Sequence, residues 1–241
     1  MGTKDLEKNL QEFSNDFQKA FGSGLLSLIL YGSGAGADFD LKKSDLNFLA
    51  VLTETGINQL SKAFPVLKKW ERRGVAIPIC VTRGYIESSL DTFPLEFLNM
   101  KNSYRLIFGE DVLKDLSFAK KHVRLQVERE LKGKLLLLRE AYLGTKGNLR
   151  NLKPVIVKSL TTFASIFRGI LFLLEKDIPP AKRDVISSAG IEMGLDNELF
   201  NELYDTAKGL KKPSSSELDR IVIRYIEEIK KAAFFIDKLE I

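Results

Sequence analysis

The 241-residue sequence has one cysteine and one histidine, and this scarcity excludes several kinds of site. A disulfide within the chain needs two cysteines, and a cysteine-rich zinc site needs more. Cys80 lies in the apolar run 75–82, which predicts a buried and inert thiol. His122 has no second histidine or cysteine beside it in the sequence. Neither a zinc site nor a cysteine–histidine catalytic pair is therefore supported.

Long hydrophobic runs are also missing. No stretch approaches the roughly 18 uninterrupted apolar residues of a membrane span. Residues 1–13 are charged and lack the apolar centre of a signal peptide. The sequence therefore predicts a cytoplasmic protein without a membrane partner. Its length suffices for one large domain or two small ones with a proper core.

The strongest functional signal lies between two apolar runs that follow one another in the sequence. The first run, residues 25–31, stops at Gly32-Ser33, and after eleven further residues a second run begins with Asp45 and Asn47. This order predicts a strand, a glycine-serine turn and a second strand. Because side chains alternate along a strand, Asp45 and Asn47 should point to the same face.

Such an arrangement suits a nucleoside triphosphate. Gly32 allows a close backbone approach, and backbone N–H groups and the Ser33 hydroxyl can donate to phosphate oxygens. Two carboxylates at alternate strand positions can clamp a divalent metal that bridges the phosphates. Here Asn47 stands at the second position, and its amide oxygen brings no negative charge.

The pattern resembles the signature of the DNA polymerase beta-like nucleotidyltransferase superfamily: an apolar residue, Gly, Gly or Ser, a short gap, then Asp-x-Asp. The resemblance implies that Gly32 and Ser33 bind phosphate, that Asp45 binds Mg²⁺ and that Asn47 is a weakened ligand. It also implies a sheet domain followed by a helical bundle, as in the small aminoglycoside and minimal toxin–antitoxin-type enzymes. The implied activity is transfer of a nucleoside monophosphate from a nucleoside triphosphate to a hydroxyl acceptor, which the sequence does not identify.

Superfamily members carry a third acid on a following strand, and its counterpart is missing. The candidate strand, residues 75–82, has no acid at any position. Glu96 is the candidate for that catalytic role, although its surroundings favour a helix start, where an acid is stabilised by the helix dipole. Asp38 and Asp40 form another acid pair, which we interpret as a solvated loop that would matter only if it folded back to Asp45.

A rival interpretation of the same turn is dinucleotide binding. Residues 32–37 satisfy G-x-G-x-x-G/A after a strand. That motif requires a helix opening at the turn and a crossover to a parallel strand. Residues 37–44 are too short and too polar to form that helix, so the dinucleotide interpretation fails.

The chain divides near residue 112. Residues 1–112 alternate short apolar runs with helical stretches, which predicts a compact α/β or α+β mixed-sheet domain; with the helical second half, the fold class of the whole chain is α+β. In residues 113–241 apolar residues recur every three to four positions, which predicts an all-helical bundle. In the first half we expect strands at 25–31, 46–52, 75–82 and 105–108, and helices around 4–20, 56–73 and 91–103.

Positive charge is concentrated in the second half. Residues 113–241 carry 24 basic and 18 acidic side chains, against 13 and 14 in residues 1–112. The basic stretch 120–139 is either a solvated helix face with pairs such as Glu128–Lys132 or a wall that attracts triphosphate or nucleic acid. Aromatic residues do not interleave with it, so a base-stacking platform is not indicated. The bundle also leaves a homo-oligomer or a protein partner open.

Two functions therefore stay open. One is a working nucleotidyltransferase, and the other is a catalytically inactive nucleotidyltransferase-like module, a pseudoenzyme that binds nucleotide or a partner protein. The missing acids favour the second function. The Gly32-Ser33 turn and Asp45 favour nucleoside triphosphate binding in either case.

Overall fold

The computed structural model describes residues 3–36, 45–148 and 151–241. The chain forms two compact units, Met1–Ser117 and Phe118–Ile241. The first contains a mixed sheet with helices, and the described part of the second is helical with connecting turns. The domain boundary predicted near residue 112 lies a few residues before this division.

In the described residues of the first unit, the sheet has four strands in the order β3-β2-β1-β4. They are β1 (Leu25–Tyr31), β2 (Asn47–Leu52), β3 (Ile79–Thr82) and β4 (Tyr104–Gly109). β1 is antiparallel to both β2 and β4, whereas β2 and β3 are parallel. Each of the four lies within a run that the sequence predicted as a strand or overlaps it.

One face of the sheet packs against the first helix to form the core of this unit. Phe13 and Phe17 of that helix are fully buried, and the Phe13 ring contacts Phe48 at 4.4 Å and Trp70 at 5.5 Å between centroids. The aromatic clustering fixes which sheet face is covered. The helices of the unit are α1 (Thr3–Phe21), α2 (Glu54–Ile57), α3 (Phe64–Trp70), α4 (Arg83–Ser89) and α5 (Pro94–Asn102).

The prediction of a single helix over residues 56–73 is wrong. The segment breaks into α2, a 3-10 turn at Leu60–Ala63 and α3, whose first turn contains Pro65. Proline lacks the N–H that a continuous helix needs, so the helix restarts there. Phe64 is 66% exposed and does not contribute to the core. The buried residues of the segment are Ala63, Val66 and Trp70.

The third strand is shorter than the predicted run 75–82. Val75 makes only an isolated bridge to Leu46, and regular pairing begins at Ile79. Pro78 lies between them and cannot donate a ladder hydrogen bond. Cys80 packs against the α1-side core, where partial burial raises the pKa of its thiol, in keeping with an unreactive side chain.

The described part of the second unit contains five α-helices whose apolar stripes face inward. The stripes predicted from 3.6-residue periodicity are largely buried, among them Val127, Phe163 and Tyr225. Tyr225 contacts both Phe163 and Phe200 in edge-on geometry. The helices are α6 (Lys120–Gly144), α7 (Leu152–Leu173), α8 (Lys182–Met193), α9 (Asn197–Lys208) and α10 (Ser215–Asp237).

By length and composition, α7 is the one helix in the described chain that could cross a bilayer. Half of its apolar window is buried inside the protein. A core helix of a bundle shares these properties, so one such helix is weak evidence for a membrane span.

The start of α9 is held by a charged network. Asp196 caps the helix, because its Oδ1 accepts the Leu199 N–H at 3.0 Å. Its other oxygen pairs with Arg224, and the buried Glu228 accepts the Asp196 N–H at 2.9 Å. The Leu199 N–H is the main cause of the lowered pKa of the Asp196 carboxyl.

Candidate functional site

The glycine-serine turn lies at the end of β1. The strand ends at Tyr31, and residues Gly32–Ala35 form a 3-10 turn. Gly32 adopts a φ of +73°, a conformation that side chains with a Cβ rarely take. In the described structure a Cβ on Gly32 would meet no atom within 4 Å. Among the described residues, none covers the backbone at this position.

Ser103 clamps this turn from the start of β4. Its carbonyl accepts the Gly32 N–H at 2.9 Å, and its hydroxyl donates to the Gly32 carbonyl at 3.1 Å. Gly36 approaches the same hydroxyl so closely that a Cβ would lie 2.7 Å from Ser103 Oγ. Sequence reasoning missed Ser103, because only the pairing of β1 with β4 brings it to the turn.

The hydrogen bonds from Ser103 determine which polar groups of the turn remain available to a ligand. The Gly32 N–H is already donated to Ser103, so it is not a phosphate donor. In a 3-10 turn that begins after Tyr31, the Gly34 N–H donates to the Tyr31 carbonyl, so only the Ser33 N–H has no acceptor within the turn. The Ser33 N–H and the Ser33 hydroxyl are therefore the donors that the turn can offer to an anion.

Asp45 and Asn47 lie beside the turn at the start of β2. Their neighbours Leu46 and Phe48 are buried in the core against α1. Side chains alternate, so Asp45 and Asn47 lie on the opposite face. Asn47 pairs with Tyr31, the residue before the turn. The Asn47 amide nitrogen donates to the Asp45 backbone carbonyl at 3.4 Å, which directs the amide oxygen elsewhere.

These two side chains fit a magnesium ion only together with phosphate. Among the described residues no group of three or more His, Cys, Asp or Glu could hold a metal by itself. Magnesium is, however, commonly bound by one or two carboxylates plus the phosphates of a substrate. Asp45 supplies one carboxylate and Asn47 one neutral oxygen. The donor set therefore fits an ion that arrives with a triphosphate.

The strand next to Asn47 carries no acid. β3 pairs with β2 through Leu49 and Ile79, and the bridge from Leu46 to Val75 continues the pairing. Residues 76–77 therefore lie beside Asn47. They are alanine and isoleucine, and the isoleucine is 81% exposed.

Glu96, the candidate for the third acid, lies on α5 rather than on a strand of the sheet. Glu96 lies in the first turn of α5, whereas Ser103 follows the last turn of that helix. Seven residues of helix correspond to about 10 Å of rise. Glu96 thus occupies the acidic first-turn position that the helix dipole favours. Asp38 and Asp40 lie outside the described residues.

Two tyrosines border the site on the same face. Tyr31 is paired with Asn47 on one side and with Tyr104 on the other. Burial raises the pKa of Tyr31, and burial together with a 2.9 Å bond to Asp111 raises the pKa of Tyr104 to about 12. Both phenols are therefore neutral near pH 7. The Tyr104 hydroxyl is committed to Asp111, which leaves Tyr31 as the polar group facing Asn47.

No protein-family model and no curated protein matches the sequence. Solved structures do match, among them a spectinomycin adenyltransferase from Enterococcus faecialis with ATP and spectinomycin. The two chains are 13% identical, the match covers 91% of this chain and 98% of that one, and the TM-score is 0.51. At this identity the similarity shows the fold. The predicted α+β class, a nucleotidyltransferase-like mixed sheet followed by a helical unit, is confirmed.

Proposed function

We propose that this protein binds a nucleoside triphosphate at the Gly32–Ala35 turn and transfers its nucleoside monophosphate to a hydroxyl acceptor. The observation that carries the proposal is the position of the turn. It is held by Ser103 at the end of the central strand β1, next to the start of β2 where Asp45 and Asn47 lie, in a fold shared with an adenyltransferase solved with ATP.

Each group at this edge has a distinct part in the proposed site. The N–H group and the hydroxyl of Ser33 bind phosphate oxygens. Asp45 and the Asn47 amide oxygen would hold magnesium, which when bound neutralises charge on the phosphates. Tyr31 presents a neutral hydroxyl beside Asn47.

A second candidate function is nucleotide binding without turnover. It is favoured by the neutral Asn47 and by the absence of an acid at residues 76–77. Phosphoryl-type transfer depends on positioned charge around the reacting phosphate, so each missing carboxylate weakens transition-state stabilisation. We therefore expect slow or undetectable transfer to generic acceptors alongside measurable binding.

Pyrophosphate release from magnesium-ATP distinguishes the two functions. The assay would include hydroxyl acceptors of several classes: spectinomycin, a serine-containing peptide and an RNA 3′ end. Asp45→Ala should abolish any release, whereas Asp91→Ala, at an exposed position in the same unit, should not. Release that depends on Asp45 establishes the transferase. ATP binding without release establishes the silent module, and no response to any nucleoside triphosphate refutes both.

A further inference from the structure

A groove of about 360 Å³ runs between α6 and α7 in the helical unit. Each helix contributes one face, since the lining residues recur at intervals of three and four positions. The volume lies within the roughly 300–1,000 Å³ of small-molecule sites. The lining residues are Lys134, Leu137, Leu138 and Ala141 of α6 and Val155, Lys158, Ser159, Thr162 and Phe163 of α7.

The groove has an apolar floor that the helical unit leaves partly uncovered. Leu138 and Phe163 are buried beneath it, whereas Leu137 is 54% exposed. Five of the nine lining residues are apolar. A ligand with an apolar body would remove this surface from water, which is the main driving force for binding in such sites.

The polar groups of the groove select the charge of the ligand. The Ser159 hydroxyl donates to the Ile156 carbonyl at 3.0 Å, and the Thr162 hydroxyl donates to the Lys158 carbonyl at 3.2 Å. Both hydroxyl protons are thus already used. The lining side chains that still have protons to donate are the ammonium groups of Lys134 and Lys158.

The positive charge of these two lysines is only partly balanced. Lys134 lies 3.6 Å from Glu130, one turn away on α6. Lys158 is exposed, and within the described chain it has no ion pair. The groove therefore combines an apolar floor with a net positive rim.

We propose that this groove binds a small amphipathic carboxylate, with its apolar body on Leu137 and Val155 and its carboxylate at Lys158. Lys134 contributes the second positive charge. A second copy of this chain is a poorer occupant, because the chain carries a net charge of +5 and its excess lies in this half. The proposal is independent of the proposed nucleotide site.

Decanoate is a suitable probe, measured by titration calorimetry on the full chain below its micelle concentration. Decanol and decyltrimethylammonium have the same tail with no charge or the opposite charge. We expect decanoate to bind at least tenfold more tightly than either. Lys158→Met keeps the length and apolar character of the side chain and should weaken decanoate binding tenfold or more. Lys121→Met, an exposed lysine of α6 outside the groove, should leave it unchanged.

A second variant tests the location. Ala141→Phe fills the groove from the α6 side and should also abolish decanoate binding, while helical circular dichroism verifies that the unit is folded. Decanoate binding that survives either Lys158→Met or Ala141→Phe overturns the proposal, as does equal affinity for decanol. Gly32→Val should leave decanoate affinity unchanged. The outcome of the decanoate experiment therefore does not depend on whether the proposed nucleotide site is correct.

Discussion

Replacing Gly32 by alanine separates the role of the turn in folding from its role in binding. Gly32 has a φ of +73° and free space at its Cβ position, so alanine introduces backbone strain but no clash. That strain costs about 1–2 kcal/mol. Gly22, before the other end of β1, has a φ of +55° and the same open surroundings. Gly22→Ala is therefore a control of matched cost. Each variant should lower Tm by roughly 4 °C per kcal/mol, because the first unit lies between the small domains that shift by about 4–8 °C and the larger ones that shift by about 2–4 °C.

The two variants should differ only when triphosphate is added. At a ligand concentration 100-fold above Kd, binding stabilises the folded protein by about 2.7 kcal/mol. Wild type and Gly22→Ala should both show this rise in a thermal-shift assay with magnesium-ATP. Gly32→Ala should lose it, because the new methyl group occupies the space through which phosphate approaches the backbone. An equal rise in both variants would refute our assignment of the turn.

Three further predictions concern other residues. Asp45→Ala should remove magnesium-dependent nucleotide binding. Asn47→Asp should raise magnesium affinity in a metal titration. An unchanged magnesium affinity in Asn47→Asp would mean that position 47 does not face the metal. Ser103→Ala removes one of the two bonds to Gly32 and should cost about 0.5–1.5 kcal/mol of stability, with weaker ATP binding than in a Ser117→Ala control. Asp196→Ala should cost about 1 kcal/mol by removing the cap of α9. Because the pKa of Asp196 is lowered by folding, its contribution is present above the ordinary value of 3.8 and lost as pH falls below it. Acid unfolding of this variant should therefore depend less on pH in that range than that of wild type.

The sequence predicted the parts of the fold that depend on local periodicity. Apolar runs identified β1 and β2, and stripes at helical spacing identified α6, α7 and α10. The prediction of one continuous helix failed in the segment from residue 56 to residue 73. There Pro65 interrupts the backbone pattern, and burial of Trp70 against α1 selects a different face.

The candidate site was predictable only where its residues are close in sequence. Gly32, Ser33, Asp45 and Asn47 flank one strand connection, so alternation and turn chemistry suffice to group them. Ser103 cannot be found this way, because its place at the turn depends on strand register between distant segments. Register follows from packing of whole faces rather than from any short motif.

The clamp by Ser103 also has a consequence for the order of folding. Ser103 lies 71 residues after Gly32, and closing so long a loop is entropically costly and slow. A chain emerging during synthesis would possess the turn and both metal-binding candidates well before β4 could dock. Its triphosphate affinity should appear only once β4 has paired with β1, and bound nucleotide should in turn slow amide hydrogen exchange in β4. A chain truncated before Ser103 contains every ligand that the sequence predicts and lacks the contact that shapes them.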